Sequence, residues 1–156
     1  MISAGWFSSL AAWRLLGLYF VPIFALLNVA WEIAQLPLYT LWNTGSVRDI
    51  AFSVAHCSLG DALIGTIALM LALILTRSRA PATWNLVALI VITTLIGIGY
   101  TIFSEWMNTR WLQSWAYSDA MPILPVLGTG LAPLLQWLLL PGAGLVLSLR
   151  AARRIG

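Results

Sequence analysis

The sequence predicts an all-α polytopic membrane protein: a four-transmembrane-helix bundle with a Pro/Gly-rich segment before the last span. Three observations carry this reading. Four segments stay apolar for about 20 residues, which at about 1.5 Å per residue crosses roughly 30 Å of hydrocarbon. The chain is 61% hydrophobic and only 8% charged, with a mean hydropathy of +0.93, beyond what a soluble surface tolerates. Its eight basic residues, all arginine, fall unequally on the two sides of those segments.

The first span is expected from Leu15 to about Leu36, with Pro22 as a kink. The N-terminus lacks a basic start, and Asn28-Val29-Ala30-Trp31-Glu32 is a poor cleavage site, so the segment reads as a retained span. The second is expected from about His56 to Leu75, the third from Leu86 to about Glu105, and the fourth from about Leu131 to Leu149. Residues 106–130 form an outer interfacial segment, either a short surface helix or a simple loop, and the whole chain, 1–156, reads as one integral membrane domain. Within that segment and just beyond it, residues 121–133 are apolar but too rich in Pro and Gly for regular helix. They either dip back over polar side chains or lie as a hydrophobic surface loop. Pro141 and Gly142 should bend the fourth span, and Gly142 and Gly144 allow a close neighbour.

Arginine sets the direction of insertion, because basic residues are retained on the cytoplasmic side. Arg14, Arg77, Arg79, Arg150, Arg153 and Arg154 share one side, and Arg48 and Arg110 the other. Six against two predicts both termini in the cytoplasm and a location in the cell inner (plasma) membrane. The same account explains the net charge of +3 without nucleic acid as a partner. Tryptophan agrees, since indole favours the headgroup layer: Trp13 and Trp84 mark the inner boundary, and Trp42, Trp106, Trp111 and Trp115 the outer one.

With directions assigned, the rare polar residues gather towards the outer side. Glu32 and Glu105 end the two outward spans, His56 and Asp61 open an inward one, and Asp49, Asn108 and Asp119 lie in or near the outer connections. Asn28, Glu32 and Gln35 are spaced by four and three residues, which confines them to roughly 60° of one helix face. Thr101, Glu105 and Asn108 repeat that spacing on the third span. Trp42 and Trp115 each lie ten residues beyond the respective acid, a pattern that fits either a parallel duplication or chance. Both stripes should face the bundle interior, because charge at membrane depth is costly. Each acid also sits at the negative end of its helix dipole, so capping does not account for it.

Ser58-Leu59-Gly60-Asp61 fits a capping box, which would start the second helix there and bring His56 and Asp61 to one site. In an unbroken helix the two residues would point about 140° apart. His56 reads either as a proton carrier or as a polar anchor, and the lone Cys57 as a packing residue. One cysteine and one histidine exclude an intrachain disulfide, a CxxC pair and bis-histidine haem within one chain. His56, Glu32, Asp61 and Glu105 come from three helices without a diagnostic spacing, so no metal site is assigned and any cofactor is left open. P-loop, GxSxG, HExxH and GxGxxG motifs are absent.

Three functional readings follow. The first is binding of, or acid-base chemistry on, a lipid or other apolar ligand. Glu32, Glu105 and Asp61 would be the chemical groups, with Asn28, Gln35, His56, Asn108 and Gln136 orienting the ligand and Trp31 and Trp137 forming apolar walls. The second is a structural or assembly subunit whose polar stripes meet a membrane-protein partner or a further copy of the chain. The third is a proton- or cation-coupled transport component, for which the inner half offers little beyond Thr66, Thr93, Thr94 and Ser148.

Overall fold

The computed structural model describes residues 5–155, and four long helices account for most of them. We label them α1 (Leu10–Leu38), α2 (Val47–Leu75), α3 (Leu86–Trp111) and α4 (Leu131–Ile155). All four are long and apolar enough to cross a membrane. Each packs on the next, and α4 closes on α1, giving an up-down-up-down ring in which α1 faces α3 and α2 faces α4 across the axis. The outward faces carry Leu18, Leu26, Leu63, Leu95 and Leu138, each more than half exposed, as expected where lipid is the solvent.

Every expected span is present, and each begins or ends five or more residues beyond the sequence-based limits. α1 starts before Leu15 because Ser9 is extended and its hydroxyl accepts from Ala12 N at 3.3 Å, capping the helix at Leu10. Pro22 cannot donate a backbone hydrogen bond, and the preceding turn, Leu15–Phe20, widens to π-helical spacing before regular helix resumes at Val21. α2 begins nine residues before His56. The capping box belongs to Ser46 and Asp49: the Asp49 amide donates to Ser46 Oγ at 3.2 Å and the Ser46 amide to Asp49 Oδ2 at 3.0 Å. The Ser58/Asp61 capping reading is therefore corrected. Both patterns match in sequence, but only Ser46 stands where the chain is extended, and Asp61 lies in mid-helix.

α3 runs past Glu105 through a closing π-helical turn, Met107–Trp111. Beyond it, residues 112–130 form a loop rather than a surface helix, tied by isolated antiparallel bridges Tyr39–Tyr117 and Ile123–Gly130. The Pro/Gly-rich segment folds into a tight reversal: the Leu124 amide donates to Thr129 O at 3.0 Å and the Leu131 amide to Pro122 O at 2.7 Å. Gly128 supplies the turn at φ 66°. The tip is exposed, with Val126 at 95%, while Met121, Thr129 and Gly130 are buried. Of the two alternatives, the exposed tip fits a hydrophobic surface loop, while the segment's buried ends pack against the bundle, the Gly130 amide donating to Tyr117 Oη.

α4 continues through Pro141 and on past Leu149 to include Arg150, Arg153 and Arg154. At this arginine-rich end the core is apolar and aromatic. Phe20 and Phe24 stack at 5.1 Å, Phe24 meets Trp137 at 6.2 Å, and Leu69, Leu73, Leu89 and Leu145 fill the remainder. Glycines make room for these rings. A Cβ at Gly97 of α3 would overlap the Trp137 indole, and one at Gly65 of α2 would overlap the Phe24 ring.

Candidate functional site

Above that aromatic layer, towards the acid-bearing end, each helix contributes a polar side chain to the interior. The Asn28-Glu32-Gln35 stripe of α1 turns inward as its spacing predicts, with Asn28 and Gln35 buried and Glu32 half-buried. Asp61 projects from α2, Glu105 from α3 and Gln136 from α4. These groups form two clusters on either side of a cavity of ≈ 240 Å³.

The first cluster joins α1, α2 and α4. Gln136 Nε2 donates to Asn28 Oδ1 at 2.7 Å and to Asp61 Oδ2 at 2.8 Å. Gln35 Nε2 donates to Glu32 Oε1 at 2.8 Å and reaches Gln136 Oε1 at 3.5 Å, while Trp31 Nε1 donates to Gln35 Oε1 at 3.2 Å. Asn28 spends its own amide on Phe24 O, one turn back, at 2.7 Å. The Glu32 and Asp61 carboxyls lie within hydrogen-bonding reach of one another. Ionised carboxylates only accept, so Gln35 and Gln136 are the donors this pair has within the cluster.

The second cluster belongs to α3 and the connections at the acid-bearing end. Glu105 Oε2 accepts a short hydrogen bond from the Tyr117 hydroxyl and a longer one, 3.5 Å, from Trp115 Nε1. Tyr39 also faces it. Tyr117 Oη accepts in turn from the Gly130 amide at 2.9 Å, so one phenol links the carboxyl of α3 to the entrance of α4. Burial first, and the Glu105 carboxyl second, push the Tyr117 phenol above its ordinary value of 10.0. Burial likewise lifts the Tyr39 phenol well above its ordinary value. Both hydroxyls therefore keep their protons across the neutral range.

The remaining sequence-selected residues take distinct places. Trp137 lies between Gly97 and the cavity and forms part of its wall. Trp31 instead packs against the core, so its expected wall position is corrected: its indole follows Gln35, three residues nearer the helix end than Glu32. Asn108 lines the cavity but donates to Ser104 O of its own helix at 2.9 Å. His56 is exposed, stacks on Phe52 at 5.6 Å and stands at the rim, while Asp61 reaches the interior. The unbroken helix separates the two, as the 140° argument requires. Arg48 and Arg110 are exposed, and the partners seen at the three acids are amides, an indole, phenols and each other. Among the described residues no group of three or more His, Cys, Asp or Glu side chains has the arrangement to hold a metal.

Sequence reasoning missed Tyr39 and Tyr117 as site residues and gave Trp115 only a boundary role. All three lie in connections, where no helical period reports which side chain turns inward. A single signal was present: Tyr39 is the first aromatic after the first span, and Trp115 and Tyr117 lie in the connection that follows the third.

Fold and site together define a small multi-pass membrane protein of four helices. Comparison with protein families, curated proteins and solved structures returns no match.

Proposed function

We propose that this protein admits a lipid or other apolar ligand to the cavity among Glu32, Asp61 and Glu105, near the outer leaflet, and exchanges protons with it. In this reading the Glu32/Asp61 pair carries the transferable proton and Glu105 is the carboxyl opposite. Gln35 and Gln136 hold the pair in place, while Tyr117 and Trp115 fix Glu105. The carrying observation is convergence: four apolar helices each turn at least one polar side chain towards a single cavity. The orientation belongs to the same proposal, with the arginine-rich end in the cytoplasm and the protein in the inner membrane.

Two observations favour this over the competing readings. Each of these acids and amides has at least one hydrogen-bond partner within the single chain, so a partner subunit is not needed to pair them. The opposite half of the bundle is packed with Phe20, Phe24, Leu69, Leu73 and Leu145, and its hydroxyls at Thr66 and Ser148 donate to their own helices. Thr93 and Thr94 are buried without a hydrogen-bond partner, so among the described residues the polar groups of this half do not link into a chain that reaches the cavity.

The test uses purified protein in lipid nanodiscs, extracted with its co-purifying lipids and assayed for saturable binding or conversion of that extract. Glu32→Gln and Glu105→Gln should each reduce binding or turnover at least about tenfold, the loss of one charge-assisted hydrogen bond. If both variants bind and convert as the parent does, the assignment is wrong.

A further inference from the structure

We propose that the ligand of this cavity is an amphiphilic protonated amine, its ammonium group held among Glu32, Asp61 and Glu105 and its alkyl tail leaving between α2 and α3. This deepens the ligand-binding reading above and rests on it. Charge balance is the starting point. Three of the chain's five acids line one cavity, lysine is absent from the sequence, and six of the eight arginines lie at the opposite end of the bundle. Of the other two, Arg48 is exposed in the first turn of α2, and Arg110 is exposed beside Gly128. His56 is the one basic side chain in the lining, at the rim. A cavity so composed attracts a cation from outside the chain.

Unspent hydrogen-bonding capacity points the same way. The donors found within hydrogen-bonding distance reach one oxygen of each carboxyl: Glu32 Oε1, Asp61 Oδ2 and Glu105 Oε2. The Thr101 side chain lines the cavity at 5% exposure, and among the described residues its hydroxyl has no hydrogen-bond partner. An ammonium group brings up to three N–H donors and no acceptor, which matches a set of free carboxyl oxygens and a hydroxyl. A neutral hydroxyl offers one donor and no charge, and an anionic headgroup adds acceptors where acceptors are already in excess.

The walls select an organic cation. No metal-holding group of three acids, cysteines or histidines exists among the described residues, whereas Tyr39, Tyr100, Trp115 and Trp137 present aromatic rings to the cavity. Aromatic faces attract ammonium through their quadrupole. The amphiphilic shape follows from the way out: the lining includes exposed residues, so a tail longer than the cavity has a path to lipid. The exposed lining residues His56 and Tyr100 belong to α2 and α3, and the helix surfaces beside them, at Leu59, Leu63 and Phe103, are apolar and open to lipid.

The full chain in zwitterionic nanodiscs is titrated with terminally brominated decylamine, and with the alcohol and carboxylate of the same tail, against empty nanodiscs. Bromine quenches tryptophan, and Trp115 and Trp137 line the cavity. Saturable quenching by the amine is expected at least about tenfold tighter than by the alcohol. Asp61→Asn and Glu105→Gln should each erase most of that preference. Gly60 lines the cavity with nothing within 4 Å of an added Cβ, so Gly60→Phe should plug it without touching a carboxyl, abolishing saturable quenching by the amine. That variant keeps the test decisive should an acid variant fail to fold. Equal binding of amine and alcohol, both lost in Gly60→Phe, would overturn the amine while leaving an apolar-ligand pocket. Saturation by none of the three would sink the underlying ligand-binding reading as well, and amine quenching that survives Gly60→Phe would place the ligand elsewhere.

Discussion

Tyr117 shows how one side chain outside the spans can set the geometry inside them. Its hydroxyl donates to Glu105 and accepts from the Gly130 amide, so it fixes a membrane-depth carboxyl and closes the outer loop onto α4 at once. Tyr117→Phe removes both bonds while keeping the ring, leaving a buried carboxyl oxygen and an amide short of partners. A loss of about 1–3 kcal/mol is expected in reversible unfolding in mixed micelles. The pH dependence follows from the direction of the phenol's shift. A group whose folded value is raised contributes stability that is whole below its unfolded value, 10.0, and is lost as pH rises towards the folded one. The parent should therefore lose stability above about pH 10. The Tyr117→Phe variant should show a shallower alkaline decline, and an unchanged one would remove Tyr117 from the account.

At the level of elements, helix contacts rather than helix propensities position the site. α3 approaches α4 through Gly97, where the Trp137 indole occupies the space a side chain would need. That contact holds the wall of the cavity in place. Gly97→Ala should cost about 1–3 kcal/mol through overpacking and displace the indole, seen as a shift in tryptophan emission together with a lower thermal midpoint. Gly99, on the same helix, meets nothing within 4 Å and faces outward, so Gly99→Ala is the matched control and should leave both readouts near the parent values. Element boundaries follow similarly local physics. α2 starts at Ser46 because the reciprocal Ser46/Asp49 capping is made there, and α1 tolerates Pro22 because one turn of wider spacing absorbs the missing donor.

For the whole molecule, four antiparallel spans place the start of α1 and the end of α4 at the same end of the bundle, and the six-to-two arginine division supplies the proposed direction. A fluorescent protein fused after Gly156 should fluoresce, whereas alkaline phosphatase at the same position should be inactive. Alkaline phosphatase inserted at Asn43, in the short connection between α1 and α2, should be active. The reverse pattern would place the acid-bearing end in the cytoplasm and remove the outer-leaflet placement of the cavity.

The number and order of the spans, their lipid-facing character and the inward turn of Asn28, Glu32 and Gln35 were all legible in the sequence. Hydropathy over 20 residues and a helical period are local properties that lipid enforces uniformly along the chain. The choice between Ser46 and Ser58 as a helix start was not legible, since both satisfy the same four-residue pattern. Tertiary structure alone decided which side chains meet across the ring. Glu32 finds Asp61, Gln136 bridges α4 to α1 and α2, and Tyr117 reaches back twelve residues to Glu105. These pairings depend on the rotation of each helix about its own axis and on the path of a loop, quantities fixed by packing such as Trp137 against Gly97 and by no spacing within a single segment.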